Sequence, residues 1–154
     1  GSLFGGWSAD YMVRKTKNRN WYIWIPFVST IIAIPFALNT FLLMPDGYIT
    51  VYSYFIPTFF GGWYLAPCLA ANHFLVGIRM RAMASAILLF VLNLIGLGFG
   101  PMLTGFVSDF LTPEFGNNGL RYALSITILI NVWCAFHYYC CLKTITKDFD
   151  RAPA

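Results

Sequence analysis

The sequence predicts an all-α integral membrane protein with four transmembrane helices, and three observations predict it. First, 58% of its 154 residues are hydrophobic and only 10% are charged, with a mean hydropathy of +0.66. A soluble domain carries about 25% charged residues to cover its surface. Second, the stretches 20–45, 47–78, 82–108 and 122–142 contain no Asp, Glu, Lys or Arg. Third, the basic residues cluster at every second boundary between these stretches.

Each charge-free stretch supplies the roughly 20 residues needed to cross a hydrocarbon core of about 30 Å. The expected spans are 21–44, 48–77, 82–110 and 120–142. Their linkers are short, as antiparallel neighbours require. Residues 1–7 read as the end of a preceding transmembrane helix, 8–20 as a cytosolic loop and 143–154 as a cytosolic tail. Apolar and polar residues do not alternate strictly, which disfavours a transmembrane barrel.

Linker charges predict the orientation. Arg14, Lys15, Lys17 and Arg19 precede the first span, and the next linker holds only Asp46. Arg79 and Arg81 separate the second and third spans, whereas the loop bracketed by Asp109, Glu114 and Arg121 is net acidic. Lys143, Lys147 and Arg151 follow the last span. The positive-inside rule therefore places both ends of the segment in the cytosol, in the plasma (inner) membrane. Trp21, Tyr22 and Trp24 fit a headgroup-level belt at the inner end of the first span, and Tyr48, Tyr52 and Tyr54 one at the outer end of the second. Because the net charge of +4 is spread over these short clusters, the expected partner is membrane lipid and not nucleic acid.

Two motifs stand out. Gly6-x-x-x-Asp10-x-x-x-Arg14-Lys15 sits where a tight cytosolic turn is expected. There an acid can face a helix N-terminus while the bases meet anionic headgroups. Gly96-Leu-Gly98-Phe-Gly100-Pro101-x-x-x-Gly105 lies within the third span. Missing side chains at Gly96 and Gly100 let helix backbones approach closely, and Pro101 removes a backbone donor and favours a kink. A plain packing role explains the glycines as well as a hinge does.

These residues carry a resemblance. The first motif resembles the signature loop of the major facilitator superfamily, although Tyr11 and Val13 stand where that loop usually has a base and a glycine. The run from Arg81 through Ser85, Asn93, Gly96, Gly98, Gly100, Pro101 and Gly105 to Asp109 resembles helix eleven of its spinster-like branch. The resemblance implies the C-terminal third of a twelve-helix transporter, helices nine to twelve, whose partners are the missing N-terminal helices. It also implies a small organic or lipid-like solute moved by alternating access between two bundles, without a cofactor or enzymatic chemistry. Helices ten and eleven would border the central cavity, with Asn93, Trp63 and Tyr64 as lining candidates. For Asn93 an interhelical hydrogen bond is an equal alternative. Gly6, Asp10, Arg14, Lys15 and Arg81 would form a cytosolic latch.

Other classes find less support. His73 and His137 precede Arg79 and Lys143 by six residues each, a spacing at which two helices could hold a haem in a membrane redox subunit. A stand-alone membrane interaction protein is a further alternative. Cys68, Cys134, Cys140 and Cys141 form no CxxC pair, so a zinc site is not expected. No GxSxG elbow marks a hydrolase.

Overall fold

A computed structural model describes residues 1–43 and 47–152. Asp46, residue 44 at the end of the first expected span and residues 153–154 of the expected tail lie outside the described residues. The described chain is almost entirely helical: α1 (Ser2–Thr16), α2 (Trp21–Leu43), α3 (Gly47–Gly61), α4 (Leu65–Leu75), α5 (Arg81–Val91), a π-wound segment (Leu92–Phe99), α6 (Gly100–Phe115) and α7 (Gly119–Arg151). Short 3-10 turns, Ile78–Met80 and Gly116–Asn118, lead into α5 and α7. Two helical runs, Trp21–Leu43 and Ile78–Arg151, are long and apolar enough to cross a membrane.

Where the sequence predicts one second span, the backbone is broken between α3 and α4. Gly61 and Gly62 weaken the helix, and Pro67 has no N–H to give to the Trp63 carbonyl one turn earlier. At 15 residues, α3 alone reaches only about 22 Å. The third expected span is also not one α-helix. Pro101 cannot donate to Leu97, and Gly96, Gly98 and Gly100 contribute no side-chain packing, so the winding relaxes to the wider π register over Leu92–Phe99. The run ends at Gly116, whose φ of 55° and ψ of −131° belong to glycine alone. There the chain reverses, and α7 returns along α6, with Thr104 and Thr127 hydroxyls 3.1 Å apart.

The helix pairs are readable from single contacts. Asn20 meets Thr146, Phe27 meets Tyr139 and Arg121 meets Phe41, so α2 and α7 run antiparallel over their whole common length. Phe4 packs on Trp63, and Gly6 lies over Ala66, so α1 and α4 run parallel.

Both ends of the chain depart from their expected forms. α1 continues as helix through Thr16, leaving only residues 17–20 as a connector. Arg14 and Lys15 occupy its last turn, where the helix dipole favours cations. The expected tail is helical through Arg151, and it is not simply solvated: Ile145 and Phe149 are 3% and 7% exposed. They join Ala9, Tyr22, Ile23 and Ala71 in the principal buried cluster. The spacing of Leu142, Ile145 and Phe149 gives this stretch one apolar face.

Outside that cluster, apolar side chains are widely exposed. No residue of α5, the π segment or α6 is buried, and Phe90 and Leu97 are 65% and 70% exposed. Apolar surface on this scale needs a cover of lipid or protein.

Candidate functional site

The residues singled out in the sequence fall at three separate places. The first is the seam between α1 and its neighbours. The Tyr22 hydroxyl donates to Asp10 Oδ1 at 2.8 Å, tying the motif acid to the first turn of α2. Arg14 Nε donates to the Asp10 backbone carbonyl at 3.3 Å, and Lys15 is exposed. Arg81 opens α5 and is exposed, and among the described residues no hydrogen bond or ion pair joins it to α1. The close approach here belongs to Gly5. A Cβ on Gly5 would fall 2.6 Å from Trp63 Cα, whereas one on Gly6 would meet the Ala66 methyl at 3.0 Å. The Trp63 carbonyl that Pro67 cannot satisfy lies against the same glycine.

Trp63 belongs to this seam. Its ring packs on Phe4, Phe59 and Phe60, and its Nε1 is buried with no hydrogen-bond partner among the described residues. Tyr64, one residue on, points elsewhere. It lines a cavity of about 500 Å³ between α2, α3–α4 and α7, together with Thr30, Thr58, Asn131 and Tyr138. That volume lies in the roughly 300–1,000 Å³ range of small-molecule sites. Its walls are apolar at Ala33, Ile34, Ala37 and Ile128 and carry no charge. The Tyr138 hydroxyl lies 3.6 Å from Cys68 Sγ. The side-chain polar groups of Thr30, Thr58, Tyr64 and Asn131 make no hydrogen bond among the described residues, so four are available to an occupant. Nothing in the sequence joins Asn131 or Tyr138 to Tyr64, because the first two lie on α7 and the third in the break between α3 and α4.

The third place is the exposed run of α5, the π segment and α6. Asn93 Nδ2 donates to the Leu89 carbonyl at 2.7 Å, one turn back at the entry to the π segment. Its amide is thus held within its own helix, and no interhelical bond to it is formed among the described residues. A Cβ at Gly96, Gly100 or Gly105 would meet nothing within 4 Å, and one at Gly98 only the Asn93 carbonyl at 3.8 Å. The small-residue face is open along its length. Asn93, Trp63 and Tyr64 therefore do not share one surface.

The histidines have different neighbours. His73 Nε2 and Ser85 Oγ are 2.5 Å apart, pinning α4 to α5 across the 3-10 turn. The His137 ring is exposed beside Trp133 and Phe136.

Arg121 carries a role that charge counting missed. Its Nε donates to the Phe41 carbonyl at 3.0 Å and its guanidinium also reaches the Leu42 carbonyl at 3.4 Å, so it closes the C-terminal end of α2. Those carbonyls have no partner within their own helix. Arg121→Ala should cost about 1.5–3 kcal/mol, the range for hydrogen bonds to a charged group. A lowered unfolding midpoint of the purified protein, with Arg121→Lys intermediate, checks this.

Comparison with known proteins decides the family. The chain is 32% identical over 128 residues to an MFS-type efflux pump of Mycolicibacterium smegmatis (strain ATCC 700084 / mc(2)155), a match that covers 83% of the chain. The sequence belongs with the major facilitator superfamily. The match spans 29% of the pump's own length. No sequence-family profile matches the chain. Membership in this superfamily, together with the apolar helical runs, makes the chain a membrane protein.

Proposed function

We propose that this superfamily chain is the C-terminal third of a twelve-helix secondary transporter of the spinster-like branch, moving a small organic or amphiphilic solute by alternating access. The observation that carries the reading is the run α5–π–α6, a membrane-length helical run with four glycines and two prolines and no buried residue. A helix that must be covered yet lacks side-chain barriers on one face suits a surface that slides against a neighbour. In this reading the neighbours are eight preceding helices, both ends of the segment face the cytosol, and the membrane is the plasma membrane. Helix α5–α6 corresponds to helix eleven and α3–α4 to helix ten. Asn93 presents its free amide oxygen to the solute pathway, and Tyr64 lines a separate neutral cavity. An uncharged, mostly apolar cavity favours an amphiphile over an ion.

The test is flux in proteoliposomes of the intact protein, offered a panel of fluorescent dyes and a labelled lysophospholipid. Saturable transport of at least one amphiphile, reduced in Asn93→Ala, is the expected result. Flux no greater than in empty liposomes for every compound opposes the proposal.

The seam at Asp10 allows its charge to be separated from its hydrogen bond. Asp10→Asn keeps an acceptor for Tyr22 and removes the charge that the latch needs. It should leave the unfolding midpoint unchanged and weaken the outward-facing state, read as altered thiol accessibility of cavity cysteines. Tyr22→Phe should instead lower stability by about 1.5–3 kcal/mol, the range for a hydrogen bond to a charged group. If both variants change accessibility alike, Asp10 acts through Tyr22 alone and the latch fails.

A further inference from the structure

A second cavity, of about 420 Å³, lies at the charged end of the molecule, between the α1–α2 connector and the last turns of α7. Lys17, Arg19, Asn20, Thr146, Phe149 and Asp150 line it. We propose that it binds the phosphodiester headgroup of a membrane lipid, the phosphate on Lys17 and Arg19 and a headgroup hydroxyl on Asp150. The inference rests on placing the Trp21 end of α2 at the bilayer surface, and not on transport.

The connector is built rigidly. Asn20 Nδ2 donates to Thr146 Oγ1 at 2.8 Å, which fastens it to α7. The Asn20 N–H donates to Asn18 Oδ1 at 2.9 Å, closing a local turn. Arg19 lies over the Phe74 ring, 5.0 Å from its centroid, and Phe74 meets Phe149 edge-on. The guanidinium is therefore placed by a packed aromatic pair. Lys17 caps α1 at φ 57° and ψ 19°, a left-handed conformation in which glycine is the usual residue. A lysine there carries a backbone penalty that glycine would avoid, and its ammonium makes no hydrogen bond or ion pair among the described residues.

The charges around the cavity do not pair with one another. No ion pair within 4.0 Å joins Lys17, Arg19 and Asp150 among the described residues. Two cations and one anion leave a single positive charge, which one phosphodiester neutralises. Asp150 then faces the far side of the headgroup, where a carboxylate accepts hydrogen bonds from hydroxyls and repels a second phosphate. Asn20 immediately precedes Trp21, whose ring belongs at headgroup depth, so a lipid reaches the cavity from the leaflet without leaving the interface.

Native mass spectrometry of the intact protein, titrated with dioctanoyl phosphatidylglycerol in neutral detergent, tests the proposal. One lipid should be retained saturably, phosphatidylcholine should not replace it, and millimolar inorganic phosphate should not displace it. Lys17→Ala with Arg19→Ala should weaken binding roughly ten- to thirtyfold. Lys143→Ala with Lys147→Ala, an equal charge loss outside the cavity, should change it less than about twofold. Lys17→Gly relieves the left-handed backbone while deleting the ammonium, so the fold is kept, and binding should fall about fivefold. Undiminished binding in Lys17→Gly overturns the proposal. Equal losses in the two double variants overturn it by showing general surface charge, and displacement by inorganic phosphate overturns it by showing a free-anion site. Lipid retention is read without transport, so its failure and that of the transporter reading are distinguishable.

Discussion

Replacing Gly5 by valine should break the packing of α1 on α4. A Cβ at that position would lie 2.6 Å from Trp63 Cα and 2.9 Å from its carbonyl carbon. Both are backbone atoms, so no rotamer change relieves the overlap, and the helices must separate. Overpacking of this kind costs about 1–3 kcal/mol and more when backbone must shift. Separation would also undo the stacking of Phe4 on Trp63 and Phe59. The unfolding midpoint of Gly5→Val should therefore fall clearly below that of wild type. Gly105→Ala, whose new methyl meets nothing within 4 Å in this chain, is the comparison. If that alanine is equally disruptive in the intact protein, the open face of α6 is covered there by another close-packed helix.

Pro101→Ala should have the opposite effect on the helix and a larger one on function. It restores an N–H to the position that interrupts the i−4 ladder. The π segment Leu92–Phe99 would then have an α-helical alternative with better hydrogen-bond geometry. Losing the one extra residue that the under-wound π segment accommodates rotates everything before Leu92 by on the order of 100° relative to α6. Ser85 would turn away from His73, removing the bond that pins α5 to α4. Thiol-accessibility scanning of residues 86–91 should show the exposed phase moved by one residue. The balance between conformational states should shift by about 5- to 150-fold, the usual scale of such coupling. Unchanged accessibility phase would mean that the glycines alone, without Pro101, set the π winding.

Much of the architecture was legible because lipid imposes a simple requirement on sequence. Charge-free stretches of membrane length mark helices regardless of their partners: α2 and α7 are helical across 21–43 and 120–142, although α7 runs on to Arg151. The break between α3 and α4 was less visible. Gly61, Gly62 and Pro67 are each ordinary in a membrane helix, and only their combination opposite Gly5 interrupts the backbone. The π segment was likewise hidden, because Pro101 announces a kink without specifying how the preceding carbonyls re-pair. At the C-terminus, charges at Lys143, Lys147, Asp148 and Asp150 suggested solvent, while the apolar spacing of Ile145 and Phe149 carried the signal that mattered.

The site was legible only in parts. Asp10 was found through its motif, but Tyr22 was read as a belt residue and its hydroxyl bond to Asp10 was missed. Tyr64 and Trp63 were singled out together as mid-span aromatics, but Tyr64 lines the cavity between α2, α3–α4 and α7 while Trp63 packs on Phe4 of α1. Both residues lie in the break between α3 and α4, so helical phase does not say where either one points. Arg121 was counted as a loop charge, although its reach to Phe41 and Leu42 requires α2 and α7 to be antiparallel neighbours. That pairing is not written in either segment alone.

The measurement that tests the account most directly is two-sided labelling of a cysteine at position 93. In the intact protein with Cys68, Cys134, Cys140 and Cys141 replaced by alanine, Asn93→Cys is exposed to a membrane-impermeant maleimide in right-side-out and inside-out vesicles. Alternating access predicts labelling from both sides, each suppressed by the solute that the other side releases. Labelling from neither side, in vesicles where a loop cysteine reacts normally, would contradict it and place the α5–π–α6 face permanently against lipid or protein.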